Sequence, residues 1–311
     1  MSARQYQRVA VLMGGLSAER EVSLASGTAC ARGLEDAGYE VVRIDVDRDV
    51  ARRLAADRPD VCFNALHGRY GEDGCIQGLL ETMGLPYTHS GVLSSALAMD
   101  KARAKSVLAA GGMPVAQDVV LTRAKLADGE PMARPFVLKP PLEGSSVGVQ
   151  IVLEHSNFVA PQAAKDGDPA EILMAERYVP GRELTCCVLD DTALAVTEIF
   201  PVGGSAFYDY EAKYAVGGSK HVLPAEISPN LYENVRKLTL QAHRALGCRG
   251  VSRSDFRFDP EAGSDGELIY LETNTQPGMT ETSLVPELAE HAGWTFADLM
   301  RWIVEDAGCN R

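Results

Sequence analysis

The sequence lacks the features of a membrane or nucleic-acid-binding protein. The only apolar run near its start, residues 9–13, is far shorter than the roughly 20 apolar residues of a membrane-spanning helix. Basic residues are not in excess, because 30 Lys and Arg stand against 43 Asp and Glu, and the net charge is −13. A general nucleic-acid or anionic-membrane binder needs a basic surface. We therefore expect a cytoplasmic protein that binds neither nucleic acid nor membrane.

Cysteine is present, but the spacing that would make it structural is missing. The seven cysteines include one adjacent pair, Cys186 and Cys187, and no C-x-x-C motif. An odd count without paired spacings is typical neither of a disulfide framework nor of a zinc site. We expect buried or half-buried thiols in a reducing compartment. With 311 residues and 46% hydrophobic content, the chain can form two or three domains without disulfides or structural zinc.

Apolar runs in the first part of the chain predict strands that alternate with helices. Strands are predicted at residues 9–13, 40–46 and 61–66. Ser17 is the predicted N-cap of a helix that extends to about Gly33. Because alternating strands and helices form parallel sheets, we expect an α/β domain with a parallel sheet over residues 1–95.

The rest of the chain follows a different pattern, in which strands are joined by loops and hairpins. Strands are predicted at residues 136–139, 149–153, 172–178, 184–189, 193–200, 251–258 and 268–272, and helices at residues 100–110, 231–246 and 296–307. A hinge at Pro180 and Gly181 divides this part. Two further domains of α+β type are therefore expected, over residues 96–178 and 179–311.

The densest group of chemically capable side chains lies on two predicted strands near the end of the chain. Alternation puts Arg253 and Asp255 on one face of a strand, and Glu272 and Asn274 on one face of the next. If the two strands pair across the turn at residues 259–266, Asp255 lies opposite Glu272. Two carboxylates and an amide oxygen are ligands that Mg²⁺ takes together with substrate phosphates. The alternative is a surface hairpin with alternating charges.

Two other segments have features of a nucleotide site. Lys139 closes a strand, and the glycines and serines of residues 144–148 offer backbone N–H groups that can approach phosphates. The lysine precedes the loop, so the segment is not a P-loop. Residues 176–179 end a strand before the hinge, where free backbone groups could contact an adenine edge and Glu183 could reach ribose hydroxyls. An ordinary hairpin loop and an interdomain strand explain the same residues, and Lys101 alone would be a solvated lysine.

The first predicted sheet offers a third candidate site. Gly14, Gly15 and Glu19 follow its first strand, at the position where a Rossmann fold binds a dinucleotide. The motif G-x-G-x-x-G is absent, and an acidic residue there would repel a pyrophosphate but attract an ammonium group. His67 follows the third strand and should lie on the same edge of the sheet, although a lone histidine is more often structural.

Taken in order, these segments resemble the D-alanine–D-alanine ligase family of the ATP-grasp superfamily. The resemblance rests on GGLSAEREVSL (14–24), ALHGRYGEDG (65–74), LPYTHSGVLSSALAMDK (85–101), LKPPLEGSSVGV (138–149), FYDYEAKY (207–214) and YLETNTQPGMTETSLVP (270–286). It implies a Rossmann-like parallel-sheet domain followed by a two-subdomain ATP-grasp fold. It also implies ATP-dependent ligation of two D-alanine molecules through an acyl phosphate, with release of ADP and phosphate, for peptidoglycan precursor synthesis.

The resemblance further implies roles for residues of this sequence. ATP would contact Lys101, Lys139, Ser146, Glu176, Arg177, Tyr178, Val179 and Glu183, and two Mg²⁺ or Mn²⁺ ions would bind Asp255, Glu272 and Asn274. Glu19 would hold the first D-alanine's ammonium with His67 nearby, Arg253 and the Gly278 N–H would bind its carboxyl group, and Ser283 and Leu284 would bind the second carboxylate. Residues 207–214 would form a lid, in which Lys213 reaches phosphate or carboxylate and Tyr214 links Ser145 and Glu19. A homodimer is expected.

The chain departs from the family pattern mainly in residues 275–283, called the substrate loop because the resemblance implies substrate contacts there. Gln276, Glu281 and Thr282 stand where the family commonly has smaller or different residues, and Arg177 stands where lysine is frequent. Two alternatives to the dipeptide ligase are a ligase that joins D-alanine to D-lactate or D-serine, and a nucleotide sensor without catalysis. Tyr214 favours the dipeptide, because relatives that make D-lactate esters tend to carry phenylalanine there. A sensor would be expected to lose the metal ligands, which are all present.

Overall fold

A computed structural model describes residues 4–144, 148–201, 218–280 and 282–310, and its strands form three sheets. The first sheet is parallel, with the strand order β2-β1-β3, as the alternating pattern predicts. Its elements are β1 (Arg8–Gly14), α1 (Arg20–Asp36), β2 (Glu40–Val46), α2 (Val50–Asp57), β3 (Val61–Asn64) and α3 (Cys75–Met83). The apolar run of β1 is buried because the strand lies at the centre of the sheet.

The second sheet is antiparallel, with the order β4-β7-β5-β6. Its elements are α4 (Val92–Met99), α5 (Lys101–Ala110), β4 (Asp118–Thr122), a 3-10 helix (Arg123–Asp128), β5 (Phe136–Lys139), β6 (Gln150–Val152), α6 (Ala160–Ala163) and β7 (Ile172–Arg177). Strands β5 and β6 pair as a hairpin whose connection includes residues 144–148, so Lys139 stands at the base of that loop.

The third sheet has the order β10-β9-β8-β11-β12 and is also antiparallel. Its elements are β8 (Arg182–Leu189), β9 (Thr192–Pro201), β10 (Ser219–Val222), α7 (Pro229–Ala245), β11 (Val251–Asp259), β12 (Glu267–Asn274), α8 (Leu284–His291) and α9 (Phe296–Glu305). The predicted pairing of the last two strands across residues 259–266 is confirmed.

One hydrophobic core joins the beginning and the end of the chain. It contains residues of β1, α1 and β3 together with residues of α8 and α9, among them Val11, Leu34, Leu288, Met300 and Ile303. Separate cores lie on the other face of the first sheet, under the second sheet, and between α7 and the third sheet. Helix α1, which follows Glu19, and helix α8, which follows the substrate loop, therefore pack into the same hydrophobic core.

The predicted N-cap of the first helix is wrong. The helix begins at Arg20, after Glu19, and ends at Asp36 rather than near Gly33. The Ser17 hydroxyl instead donates to the backbone oxygen of His67 at 2.7 Å and accepts from the Glu19 N–H at 3.1 Å. The hydroxyl oxygen thus accepts from the Glu19 N–H, which precedes the helix, while its hydrogen is directed to His67.

Most other predicted elements are present, with ends that shift by a few residues. Strands 40–46 and 136–139 have the predicted bounds, and α5 begins at Lys101 because Asp100 is its N-cap and accepts from the Arg103 N–H at 3.1 Å. All seven cysteines are free thiols, and Cys75 is exposed instead of buried. Within the described residues, no helix has both the length and the apolar character needed to cross a membrane.

Candidate active site

Eight of the predicted site residues line one cavity where the three sheets meet, whereas Asp255 and the described residues predicted to contact ATP are not part of its lining. Glu19 and His67 approach from the first sheet, Gly144 from the loop after β5, and Arg253, Glu272 and Asn274 from the third sheet. The loop that follows β12 completes the lining with Gln276, Pro277, Gly278, Thr280, Thr282, Ser283 and Leu284. Residues from distant parts of the sequence therefore line one cavity.

The candidate metal ligands pair as the strand alternation predicts. Asp255 is directly opposite Glu272, and Arg253 is opposite Asn274, with a register shift just after Asp255. Arg253 donates twice to Asp255, from Nε at 2.9 Å and from Nη2 at 2.7 Å. Asn274 Nδ2 donates to the same carboxylate at 3.1 Å, and the Thr185 hydroxyl donates to it at 2.6 Å. Asp255 is thereby held in a fixed orientation.

Lys101 is drawn into the site rather than solvated. Its Nζ lies 3.1 Å from Glu272 Oε2 and donates to the backbone oxygen of Glu143 at 2.8 Å. Burial, the largest single influence, lowers the pKa of Lys101, but the charge and hydrogen bond of Glu272 together with the charges of Glu72 and Glu176 outweigh it, and the pKa is raised. The lysine therefore stays charged between the metal-site carboxylate and the start of the 144–148 loop.

Lys139 belongs to a buried charge cluster whose centre is Glu176. One carboxylate oxygen of Glu176 accepts from Lys139, and the other accepts from Lys105 at 2.9 Å. Lys105, which is 1% exposed, also contacts Asp118 at 2.8 Å. Burial alone would raise the pKa of Glu176, but the two lysines outweigh it and the pKa is lowered. Sequence reasoning missed Lys105, although its position four residues after Lys101 indicates a shared helix face.

Residues 176–179, which are predicted to contact the adenine, were expected to have free backbone N–H groups. That expectation is wrong for Arg177 and Tyr178, whose N–H groups already have acceptors. The Arg177 N–H donates to the backbone oxygen of Gln117 at 2.9 Å, and the Tyr178 N–H donates to that of Pro135 at 3.1 Å. Glu176 directs its side chain to the lysines. The Arg177 side chain binds both carboxylate oxygens of Glu267 at 2.9 Å.

Glu183 is buried and is positioned by an arginine that also binds the hinge. Arg257 Nη1 lies 3.4 Å from Glu183 Oε2. The same guanidinium donates to the backbone oxygens of Val179 at 3.1 Å and Gly181 at 2.9 Å. Gly181 has a φ of +89°, and a Cβ there would lie 2.3 Å from the Phe258 oxygen, so this hinge position requires glycine.

Glu19 and His67 lie on the same rim, as predicted from the sheet. The Glu19 carboxylate is packed so closely against two glycines that a Cβ on Gly68 would lie 2.4 Å from its Oε2, and one on Gly144 would lie 3.1 Å away. His67 has both ring nitrogens engaged, Nδ1 with Glu72 Oε1 and Nε2 with the Ser26 hydroxyl, each at 3.1 Å. These contacts give His67 a supporting position beside the cavity.

The substrate loop leads directly into a helix N-terminus. The Ser283 hydroxyl accepts from the Thr280 N–H at 2.9 Å, and α8 begins at Leu284. A Cβ on Gly278 would lie 3.0 Å from the same hydroxyl, so the Gly278 backbone passes close to the helix start. Backbone N–H groups at a helix N-terminus favour a bound anion. Ser145, Ser146, Lys213, Tyr214 and Glu281 lie outside the described residues.

Comparisons with known proteins find similarity over most of the chain. Residues 50–90 match the family model for the D-ala D-ala ligase N-terminus, and residues 107–305 match that for the D-ala D-ala ligase C-terminus. The D-alanine–D-alanine ligase of Sinorhizobium medicae is 60% identical over 307 residues, which cover 98% of this chain and 99% of that protein. The ligase of Methylocella silvestris is 58% identical with the same coverage.

The chain belongs to the D-alanine–D-alanine ligase family. Solved structures of this family have the same fold: the D-alanine–D-alanine ligase of Bacillus anthracis is 32% identical and superposes with a TM-score of 0.79 over 96% of this chain and 97% of that chain. The same enzyme complexed with ATP is 30% identical, covers the same shares and has a TM-score of 0.78. The expected parallel-sheet domain with an ATP-grasp fold is confirmed.

Proposed function

We propose that this chain joins two D-alanine molecules into D-alanyl-D-alanine with ATP, releases ADP and phosphate, and supplies a peptidoglycan precursor. The observation that carries the proposal is the juxtaposition of Glu19 with Arg253 and the helix N-terminus at Leu284 in one cavity. An acceptor for an ammonium group and donors for two carboxyl groups are what two amino acids require. Relatives of up to 60% identity that are named D-alanine–D-alanine ligase support the same reaction.

The first D-alanine binds with its ammonium group on Glu19 and its carboxyl group on Arg253 and the Gly278 N–H, with His67 beside it. The second D-alanine binds with its carboxylate on Ser283 and Leu284, where the N-terminus of α8 favours negative charge. When its amine attacks the activated first carboxyl group, Arg253 and the Gly278 N–H stabilise the oxyanion. One such donor typically contributes about 3 kcal/mol to lowering the barrier.

The phosphates bind Lys101, Lys139 and the loop that contains Ser146, the adenine lies beside Glu176 and residues 177–179, and Glu183 binds the ribose. Bound ATP supplies the phosphoryl group that activates the first carboxyl group. Lys139 exchanges its contact with Glu176 for a phosphate, while Lys105 keeps Glu176 neutralised. The N–H groups of Arg177 and Tyr178 already have partners, so the Val179 backbone and nearby carbonyl oxygens carry the adenine contact.

The residues present fit two Mg²⁺ or Mn²⁺ ions. Asp255, Glu272 and Asn274 bring hard oxygen atoms together, and two cationic side chains, Arg253 and Lys101, already gather at the carboxylates. No group of three His, Cys, Asp or Glu residues suited to a metal occurs in the described ranges. Two carboxylates and an amide leave coordination positions for phosphate oxygens and water, which is how Mg²⁺ is usually bound. Bound at these residues, a metal ion would neutralise charge that develops on the phosphates.

Residues 207–214 form the lid in this proposal. Lys213 reaches the transferred phosphate or a substrate carboxylate, and Tyr214 joins Ser145 and Glu19 when the site closes. Such closure excludes water from the acyl phosphate. The enzyme works in the cytoplasm as a homodimer. Tyr214 selects an amine over D-lactate as the acceptor.

The test is a coupled assay of ADP release with product identification by mass. We expect ADP only when ATP, Mg²⁺ and D-alanine are all present, with D-alanyl-D-alanine as the product. Added D-lactate or D-serine should change neither the rate nor the product. Equal turnover of L-alanine, or a mixed product with D-lactate, would overturn the assignment of the dipeptide reaction.

The metal assignment is tested with Glu272→Gln, which keeps the size of the side chain and removes its charge. We expect this variant to melt within a few degrees of the wild type and to lose ADP formation, because one metal ligand becomes neutral. Near-normal turnover would show that Glu272 does not bind the metal.

A further inference from the structure

Gln276 has one hydrogen-bonding atom that the described residues leave unused. The side chain is 3% exposed and lines the cavity of the active site. Its Nε2 donates to the backbone oxygen of Asn64. A carbonyl oxygen can only accept, so the amide NH₂ must face it and Oε1 must point elsewhere. That Oε1 is buried and has no hydrogen-bond partner among the described residues.

The segment that anchors Gln276 also borders the Glu19 carboxylate. Asn64 is the last residue of β3, and its own Nδ2 donates to the Gly71 oxygen at 2.9 Å, so it is a fixed support. Gly68, four residues later, is packed against Glu19 with 2.4 Å between Oε2 and the position of a Cβ. The Glu19 carboxylate and the Gln276 amide thus both adjoin the segment of residues 64–68, and both side chains line the cavity, whereas Arg253 comes to it from β11.

We propose that Gln276 Oε1 accepts a hydrogen bond from the ammonium group of the first D-alanine, beside Glu19. An ammonium group has three donors, and a carboxylate next to a neutral amide oxygen can satisfy more of them than the carboxylate alone. A buried acceptor without a donor is costly, so a ligand that brings one is favoured. A 2-hydroxy acid brings only one donor, and Gln276 thereby selects amino acids at the first position.

This assignment relates Gln276 to the first substrate, whereas the sequence places it only in the substrate loop. The tie to Asn64 is the reason, because it fixes the amide on the first-sheet side of the cavity. The inference rests on the proposed ligase activity. Production of D-alanyl-D-alanine by the wild type is therefore established first, and its absence would remove the proposed function rather than test Gln276.

Gln77 provides a matched control. It is 2% exposed, its Nε2 donates to the backbone oxygen of Gly71 at 2.9 Å, and its Oε1 is buried without a partner among the described residues. It differs from Gln276 in lying on α3 and outside the lining of the active-site cavity. A change to methionine removes the same donor and the same acceptor at both positions, so the structural consequences are comparable.

The experiment compares Gln276→Met with Gln77→Met by thermal melting and by initial rates over a wide range of D-alanine concentration. The rates give separate KM values for the first and second D-alanine. We expect both variants to lose similar stability. Only Gln276→Met should raise the first KM, by about tenfold, which is the range of one charge-assisted hydrogen bond. The second KM, the KM for ATP and kcat should change by less than about twofold.

Gln276→Glu keeps the acceptor oxygen and changes the donor, so it tests the two roles of the side chain separately. It also replaces the methionine variant if that variant does not fold. As a neutral acid, glutamate donates to the Asn64 oxygen and keeps an acceptor for the ligand; as an anion it keeps the acceptor alone. We expect the first KM of this variant to stay within about threefold of the wild type. A first KM unchanged in Gln276→Met, raised equally in Gln77→Met, or raised as strongly in Gln276→Glu as in Gln276→Met would overturn the proposal.

Discussion

At the scale of single residues, the buried charges around Glu176 bear on the proposed binding of the nucleotide. Two lysines share one carboxylate, and only Lys105 has a second acid, Asp118, within reach. Lys105 is 1% exposed, whereas Lys139 is 9% exposed and ends β5, at the base of the loop that contains residues 144–148. In the proposed function, Lys105 is therefore the permanent counterion of Glu176, and Lys139 is the lysine that exchanges this contact for a phosphate.

Replacement of Lys105 by methionine tests whether Lys105 and Lys139 have these separate roles. Removal of one partner from a buried ion pair typically costs about 3 to 5 kcal/mol of unfolding free energy. Glu176 would then retain Lys139, so the KM for ATP should rise by about tenfold, equivalent to roughly 1.4 kcal/mol. Urea unfolding and initial rates measure both. Lys125→Met, which removes an exposed lysine 3.5 Å from Asp128, is the control and should change neither quantity. An unchanged KM for ATP in Lys105→Met would show that Lys139 acts independently.

The sequence predicted the residues that alternate along strands better than those that meet through packing. Asp255 and Glu272 were placed opposite each other because strand period and a short turn determine their register. Lys105 was missed because nothing local distinguishes a buried lysine from a surface one until Glu176 and Asp118 surround it. The occupied N–H groups of Arg177 and Tyr178 were missed for the same reason, since their acceptors lie on other segments.

At the scale of secondary structure elements, the centres of strands and helices were predictable and several ends were not. The core of β1 is specified by its apolar run, and α5 begins after Asp100, which caps the helix locally. The start of α1 depends on how the Ser17 hydroxyl is oriented: it donates to the carbonyl of His67, fifty residues away, and accepts from the Glu19 N–H rather than from an N–H inside the helix. Helix ends therefore follow tertiary contacts whenever a capping side chain has a competing partner.

Helix α7 packs on the third sheet through a histidine whose protonation should destabilise the fold. His243 Nδ1 lies 2.7 Å from the Ser252 hydroxyl, and burial lowers the pKa of His243 to about 4 despite the opposing charge of Asp191. Because the folded pKa lies below the ordinary 6.5, the stability contribution is complete above pH 6.5 and is lost as the pH falls toward 4. The loss between pH 7 and pH 5 should be about 2 kcal/mol.

Urea unfolding of His243→Asn at pH 7 and pH 5 measures this contribution. Asparagine can place an oxygen where Nδ1 lies, so contact with Ser252 is kept while the titrating group is removed. The difference in stability between the two pH values should be smaller than in the wild type by about 2 kcal/mol. His155→Asn, at an exposed position, is the control and should keep the wild-type difference. The same difference in both variants would assign the acid sensitivity to other groups.

At the scale of the whole molecule, the last helix fixes the first. Tyr39 donates to Glu305 Oε1 at 2.6 Å and Tyr6 donates to the Ala307 oxygen at 3.0 Å, so polar contacts surround the core shared by α1 and α9. Burial and the adjacent Glu305 carboxylate raise the pKa of Tyr39, so this tyrosine remains a neutral donor. Since Glu19 immediately precedes α1, the last helix supports the position of the carboxylate that is proposed to bind the ammonium group.

The close approach of α1 and α9 depends on Gly33, and two glycine-to-alanine changes measure it. A Cβ on Gly33 would lie 2.7 Å from the Phe296 ring and 2.9 Å from Met300 Cγ, whereas one on Gly78 in α3 has no neighbour within 4 Å. Alanine is the better helix former by about 1 kcal/mol, so Gly78→Ala should raise the free energy of unfolding by roughly that amount. Gly33→Ala should lower it by about 1 to 3 kcal/mol, because the two helices must separate. Urea unfolding distinguishes the outcomes, and equal stabilisation at both positions would mean that the helix interface adapts to a methyl group without loss.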